Sequence, residues 1–421
     1  MTTLEFFGAY IFYYPIIMSL IWMIGGIYYH FRYERNQSEY PALTAHPLMS
    51  VLIPARNEAP NIRETVEAVL VSAYPNYEVI VINDASTDET ESILRQLVAE
   101  HPQVRLLNLT VNQGKAAALN YGFLMSKGEI IVTVDADCML DARALHWMAW
   151  HFINFPRVGA LTGNPRVRNR TTLLAQIQTA EYASVIGLIK RTQRVLGKVL
   201  TVSGVIAAWR RQALLDVGLW SNDMITDDID MTWKMEKRFW DVRYETKAIG
   251  WMLVPETLWG LWRQRCRWAQ GGVEVIRRHR NVWSDWRQRR IWPLYIDYVL
   301  SIIWAHIFLV CMLFWSYGQL SGDWFFIAQL GNPVALWNGS IIAVVCMLQF
   351  AVSLLVDNKY DKRLWLTYFW VIWYPVIYWI FNAMTVLVAT PRGLTKKFGK
   401  AAIWASPDRG LRAVTQDAKQ K

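Results

Sequence analysis

Apolar and polar positions give the chain two textures. Unbroken apolar runs occupy residues 6–31, 291–317, 334–356 and 364–390, each long enough to cross a hydrocarbon core of about 30 Å as a helix. Between about residues 42 and 290 the runs are short, β-branched and separated by amphipathic stretches, a rhythm that predicts alternating strands and helices. MSVLIPA at 49–55, YEVIVIND at 77–84, VRLLNL at 104–109, EIIVTVD at 129–135 and VGALTGN at 158–164 read as strands, apolar on both faces as buried parallel strands are. Helices are expected over 59–72, opened by Pro60, over 86–99, from about Gly114, and over 141–153. No internal repeat or low-complexity tract interrupts this pattern.

The predicted organisation is therefore a transmembrane helix and linker over 1–41, an α/β domain over 42–262, basic helices at the membrane surface over 263–290, transmembrane helices over 291–391 and a basic tail over 392–421. The first apolar run is too long for a signal peptide and lacks a basic stretch before it, so it reads as a retained span. Arg32 and Arg35 follow it directly, which places the α/β domain in the cytoplasm by the positive-inside rule. A conflict then arises at the other end. Three further crossings would carry the tail to the far side, yet Arg392, Lys396, Lys397, Lys400, Arg409 and Arg412 argue for the near side. Either one apolar segment is re-entrant or interfacial, with Pro293 and Pro375 as break points, or the tail is translocated with its charge.

Composition refines the picture in two places. The formal charge of +10 would suit nucleic acid, but arginines crowd 263–290 immediately before an apolar run, which favours a membrane surface and argues against a nucleic-acid partner. The four cysteines, Cys138, Cys266, Cys311 and Cys346, form no C-x-x-C pair, so neither a structural zinc site nor a disulfide framework is expected.

Candidate chemistry lies in a few short stretches. Asp84 ends the VIND strand and Asn57 lies in the PARNE loop after the first strand, where open sheets hold a base and ribose; an Asx turn fits the same residues. Lys115 in NQGK stands at a helix start suited to an anion, without the spacing of a P-loop, and a solvated lysine fits equally. In DAD, Asp135 and Asp137 continue a strand at i and i+2. They would point the same way and repel unless a cation lay between them, and oxygen ligands suit Mg²⁺ or Mn²⁺. TDD, at 226–228, opens a helix whose dipole favours acids, and Asp228 could also serve as general base to a sugar hydroxyl. In QRCRW, Gln264, Arg267 and Trp268 share one helical face, with Arg suited to diphosphate and Trp to a sugar ring; a basic helix lying on lipid is the alternative.

Taken together, these stretches resemble the processive, inverting family 2 glycosyltransferases of the membrane, the group of cellulose, chitin and hyaluronan synthases. The family pattern D, D-x-D, T-E-D and Q-x-x-R-W falls on Asp84, on Asp135 with Asp137, on residues 226–228, and on Gln264 with Arg267 and Trp268, with Asp227 standing where the family usually has Glu. The long stretch GNPRVRNRTTLLAQIQTAEYASVIGLIKRTQRVLGKVLTVSGVIAAWRR, with VGLWSNDMITDDIDMTWKM, PETLWGLWRQRCRWAQGG and SPDRG at 406–410, is similar to the group that makes poly-β-1,6-N-acetylglucosamine.

The resemblance implies a GT-A-type mixed sheet flanked by helices, joined to an all-α transmembrane part in a bacterial inner membrane. It implies UDP-N-acetylglucosamine as donor and a growing polysaccharide as acceptor, with export across the membrane into a biofilm matrix. Asn57, Asp84 and Asp135 would lie near uracil and ribose, Lys115 near the nucleotide or its phosphates, and Asp137 would hold Mg²⁺ or Mn²⁺. Asp228 would deprotonate the acceptor 6-hydroxyl beside Asp227; Ser203 and Gly204 would line the acceptor side; Gln264, Arg267 and Trp268 would serve leaving group and terminal sugar. A small membrane partner subunit and cyclic di-GMP are the regulators that it brings. Arg166 and Arg170 have the spacing of some cyclic di-GMP sites but lack the accompanying D/N-x-S-x-x-G, so lipid or structural pairing is the preferred reading. The rivals are another family 2 polysaccharide synthase and a catalytically silent membrane scaffold, against which intact DAD, Asp228 and QRCRW count.

Overall fold

A computed structural model describes residues 3–35, 40–322 and 337–402. The chain divides into two compact units. A sheet unit comprises Gln37–Ala175, Gly197–Leu261 and Lys396–Lys421, and a helical unit comprises Met1–Asn36, Gln176–Leu196 and Trp262–Thr395.

The sheet unit is built on eight strands: β1 (Met49–Ala55), β2 (Tyr77–Asp84), β3 (Val104–Leu109), β4 (Ile130–Val134), β5 (Met139–Leu140), β6 (Val158–Val167), β7 (Ile206–Arg210) and β8 (Asp241–Met252). They lie in the order β3-β2-β1-β4-β7-β6-β8-β5. The half formed by β3, β2, β1 and β4 is parallel, as their unbroken apolar runs require, and β1 and β4 are buried along their whole length. Beyond β4 the pairing changes. β7 runs antiparallel to both β4 and β6, β6 pairs with β8 in parallel, and the two-residue β5 runs antiparallel to β8. The sheet is thus mixed and flanked by helices, as the resemblance implies, whereas β5, β7 and β8 go beyond the five strands read from the apolar runs. One core joins the parallel half to β7: Leu52, Ile80, Ile82 and Phe123 pack with Trp209, Trp220 and Met231. Within it Trp209 meets Trp220 edge to face at 5.8 Å and donates its indole N–H to Thr133 Oγ1 at 3.2 Å.

Residues 396–402 belong to this unit. Lys396 Nζ donates to the Asp223 carbonyl at 2.7 Å, Gly399 N–H to Asp223 Oδ2 at 2.8 Å and Ala402 N–H to the Asn222 carbonyl at 2.8 Å. SPDRG at 406–410, with Arg409 and Arg412, lies outside the described residues.

Among the described residues, three helices of the helical unit are long and apolar enough to cross a membrane: Glu5–Glu34, Trp292–Ser321 and Gly339–Asp357. The start of the expected 334–356 run lies partly outside the described residues. Pro293 breaks nothing, because it occupies the first turn of its helix, where a missing N–H costs no hydrogen bond. Pro375 does mark a break. The last apolar run is a 3₁₀ helix over Leu364–Trp373, a π-helical stretch over Tyr374–Tyr378 and an α-helix over Trp379–Thr395, as expected where proline removes a helix donor.

The first span packs closely within its unit. A Cβ at Gly25 would collide with the Thr192 side chain and one at Gly26 with Leu188, and Thr192 Oγ1 donates to the Trp22 carbonyl at 2.8 Å. Next to Thr192 in sequence, the fully buried Arg191 pairs with Glu34 and with Asp357, each at 2.7 Å.

Candidate active site

The first three motif stretches converge in the sheet unit. Asp84, fully buried at the end of β2, accepts from Gln113 N–H at 2.8 Å and from Gly114 N–H at 3.0 Å. It therefore anchors the turn that starts the Lys115–Met125 helix. Gly114 has φ +87, and a Cβ there would strike the Ala402 carbonyl, so only glycine lets turn and tail meet. Asn57, at φ +54, ties the first loop to the second: its N–H donates to Ser86 Oγ at 3.0 Å and its Oδ1 accepts from Thr87 N–H at 2.8 Å. Arg56, which the sequence reading passed over in PARNE, donates to the Asp84 carbonyl at 2.5 Å and the Ala85 carbonyl at 2.8 Å.

DAD is placed differently from the expectation of alternating strand residues. β4 stops at Val134, and residues 135–138 form a turn closed by Cys138 N–H donating to the Asp135 carbonyl at 3.0 Å. Asp137 is buried within this turn and Asp135 half-buried. Burial beside Asp137 and Asp135 pushes the Cys138 thiol up, favouring its protonated form.

Lys115 joins DAD to TDD. Its Nζ pairs with Asp135 Oδ1 and donates to the Gly204 carbonyl at 3.0 Å. Gly204 N–H in turn donates to Asp228 Oδ2 at 3.1 Å, and a Cβ on Gly204 would lie 3.0 Å from that oxygen. Ser203 N–H is held by Thr162 Oγ1 at 2.9 Å. Asp228 and Asp227 open the Asp227–Lys237 helix, where Asp228 Oδ1 accepts from Ile229 N–H at 2.9 Å. Burial works against the Lys115 charge, yet Asp135, Asp227 and Asp228 hold it above the usual lysine range. Lys115, Asp135, Gly204, Asp227 and Asp228 thus form one hydrogen-bonded and charged cluster, with carboxylate in excess and Ser203 next to Gly204 in the chain.

In the helical unit, Gln264, Arg267 and Trp268 lie on the Leu258–Arg278 helix, Gln264 buried and the other two half-buried. Glu181 and Arg265, which the sequence reading did not single out, make a buried pair at 2.6 Å in the same unit.

The sequence profile described as "Glycosyltransferase like family 2" matches residues 46–271, from just before β1 through QRCRW. The chain belongs to glycosyltransferase family 2. It is 38% identical over 411 residues to a poly-beta-1,6-N-acetyl-D-glucosamine synthase of Staphylococcus epidermidis, covering 95% of this chain and 98% of that one. It is 39% identical over 416 residues to the protein of that name from Staphylococcus aureus strain COL, covering 97% and 99%. Among solved structures, the mannosyltransferase PcManGT from Pyrobaculum calidifontis, in complex with GDP-Man and Mn²⁺, superposes with a TM-score of 0.59 at 21% identity over 94% of this chain and 99% of that one. That likeness concerns the fold, a GT-A-like sheet.

Two expectations for this glycosyltransferase follow from its charge cluster. Replacing Lys115 by Gln leaves three carboxylates facing one another and should destabilise the protein by about 3 kcal/mol, read as a lower thermal midpoint in detergent. The second concerns Asp227, whose carboxyl is pushed up to about 6 by burial and by Asp228 and Asp135, against the pull of Lys115. An acid with a raised folded pKa binds more protons folded than unfolded between its ordinary value of 3.8 and about 6, so stability is lost as pH rises through that window. Asp227→Asn should therefore melt above the parent at pH 7.5, with the gap closing as pH falls toward 4. A gap that widened in acid would contradict the sign.

Proposed function

We propose that this glycosyltransferase polymerises N-acetylglucosamine from UDP-N-acetylglucosamine into a β-1,6-linked chain at a bacterial inner membrane, with its sheet unit cytoplasmic. The observation that carries the reading is the Lys115–Asp135–Gly204–Asp228 cluster at motif positions, in a chain similar along nearly its whole length to synthases of that polymer.

The proposed chemistry is a single displacement. Asp228 Oδ takes the proton of the acceptor 6-hydroxyl, the freed oxygen bonds to the donor's anomeric carbon from the face opposite UDP, and the bond from that carbon to the diphosphate breaks. Gly204 N–H and the helix start fix the Asp228 carboxylate. Asp227 stands beside it, Ser203 and Gly204 line the acceptor side, and Asn57 and Asp84 shape the loops around uracil and ribose. Lys115, engaged with Asp135, sets the position of that carboxylate.

Asp135 and Asp137 fit a divalent cation. Their donors are carboxylate oxygens, and the surrounding carboxylates exceed the single charge of Lys115. Diphosphate oxygens would complete the shell, as Mg²⁺ and Mn²⁺ prefer. When bound, the ion supplies charge neutralisation for the leaving diphosphate. Arg267 is assigned to the same charge, Gln264 to its support, and Trp268 to stacking on the terminal sugar. A cyclic di-GMP contact gains no support from Arg166, buried in β6, or from Arg170, whose Nε donates to the Val167 carbonyl at 2.9 Å.

The test is product analysis. Purified protein in lipid, given UDP-N-acetylglucosamine with Mg²⁺ or Mn²⁺, should yield a polymer cut by a β-1,6-specific N-acetylglucosaminidase and resistant to chitinase. A chitinase-sensitive product would move the assignment to a chitin-type synthase, and incorporation of glucose or glucuronate to the cellulose or hyaluronan type. Nucleotide binding without polymer would favour the silent scaffold.

A further inference from the structure

QRCRW contains a second arginine that the Q-x-x-R-W pattern leaves unnamed. Arg265 precedes Trp268 by three residues on the Leu258–Arg278 helix, so the two side chains are neighbours on one face. Its guanidinium carbon lies 4.4 Å from the Trp268 ring centroid, covering one face of the indole, and Tyr182 meets the same ring at 6.5 Å, steeply inclined. Arginine alone has too many rotamers to hold a ring at a fixed tilt, but here it is pinned from behind. Arg265 donates to Glu181 Oε2 at 2.6 Å; Tyr378 donates to the same oxygen and Tyr374 to Oε1, each at 3.2 Å. The two tyrosines stack at 4.7 Å and 22°, and Tyr374 rests edge-on against Phe350 at 4.8 Å. Glu181, Arg265, Tyr374 and Tyr378 are all buried, whereas Trp268 is only half-buried.

A buried ion pair is a weak source of stability compared with apolar residues of the same volume. What this one delivers is direction: a planar cation held against an aromatic face by a carboxylate that is itself held at both oxygens. We propose that Glu181, Arg265 and the Tyr374 and Tyr378 hydroxyls form a positioning bracket that sets the plane of Trp268 as the platform for the acceptor sugar. The proposal rests on the acceptor reading of Trp268. It also gives the irregular stretch around Pro375 a task, since Tyr374 and Tyr378 begin and end the π-helical segment.

The test is a kinetic cycle on the full chain in nanodiscs, with UDP-N-acetylglucosamine as donor and a β-1,6-linked N-acetylglucosamine oligosaccharide as acceptor. Arg265→Lys keeps the charge and can reach Glu181 but loses the planar stack. It should raise the acceptor KM about tenfold, with the donor KM changed by less than about twofold. Glu181→Gln should shift the acceptor KM in the same direction, and serves as the working arm should Arg265→Lys not fold. In a Trp268→Ala background neither substitution should raise the acceptor KM further. An equal rise with and without Trp268, or a rise in donor KM instead, overturns the bracket. If Trp268→Ala by itself leaves the acceptor KM unchanged, the acceptor reading of Trp268 fails, and the bracket fails with it; the single variant separates that case from failure of the bracket alone.

Discussion

Asp228→Asn should lower polymer formation from UDP-N-acetylglucosamine about a thousandfold, the scale of losing a positioned general base. The expectation rests on how the carboxylate is held. Its two oxygens accept from different backbone donors, Gly204 N–H at 3.1 Å and Ile229 N–H at 2.9 Å. An asparagine can accept with only one oxygen, and its amide would then face the other N–H, so a loss of about 1–2 kcal/mol in stability should accompany the substitution. The thermal midpoint should thus drop by a few degrees while the fold and donor binding persist. Polymer yield within tenfold of the parent's, at matched folded protein, would remove Asp228 from the role of base.

The second large effect is expected at Asp137. Asp137→Ala should reduce turnover by about three orders of magnitude or more, on the scale of lost metal assistance to a diphosphate leaving group. The parent should lose activity to a chelator and regain it with Mg²⁺ or Mn²⁺. Asp137 sits in the tight 135–138 turn next to the protonated Cys138, so Ala changes charge in the turn without breaking its closing hydrogen bond. Titrating the variant with Mn²⁺ should show weaker binding than the parent. Activity indifferent to chelator would refute the assignment.

Much of the parallel half of the sheet was legible in the sequence because β1, β2 and β4 are buried on both faces and announce themselves as unbroken apolar runs. β8 was not read, although its alternation of buried and half-buried residues, DVRYETKAIGWM, is a period-two signal. β5 has two residues and β7 five, two of them alanine, too little for any period to show. The site was legible as types and order: Asp84, Asp135, Asp137 and Asp228 all lie at element ends or in turns. Partners were less so. Lys115 reads as an anion contact from its place at a helix start, but its ammonium reaches Asp135, a pairing across twenty residues that local pattern does not encode. Glu181 and Arg265 escaped for the same reason, being 84 residues apart and buried where charge has no periodic signature.

The docked tail bears on how this enzyme can be handled. Residues 396–402 rest on Asn222 and Asp223 and close over the Gly114 turn, so the last described residues lie directly on the scaffold of the candidate site. A fusion joined directly after Ala402 would pull on the turn that Asp84 holds.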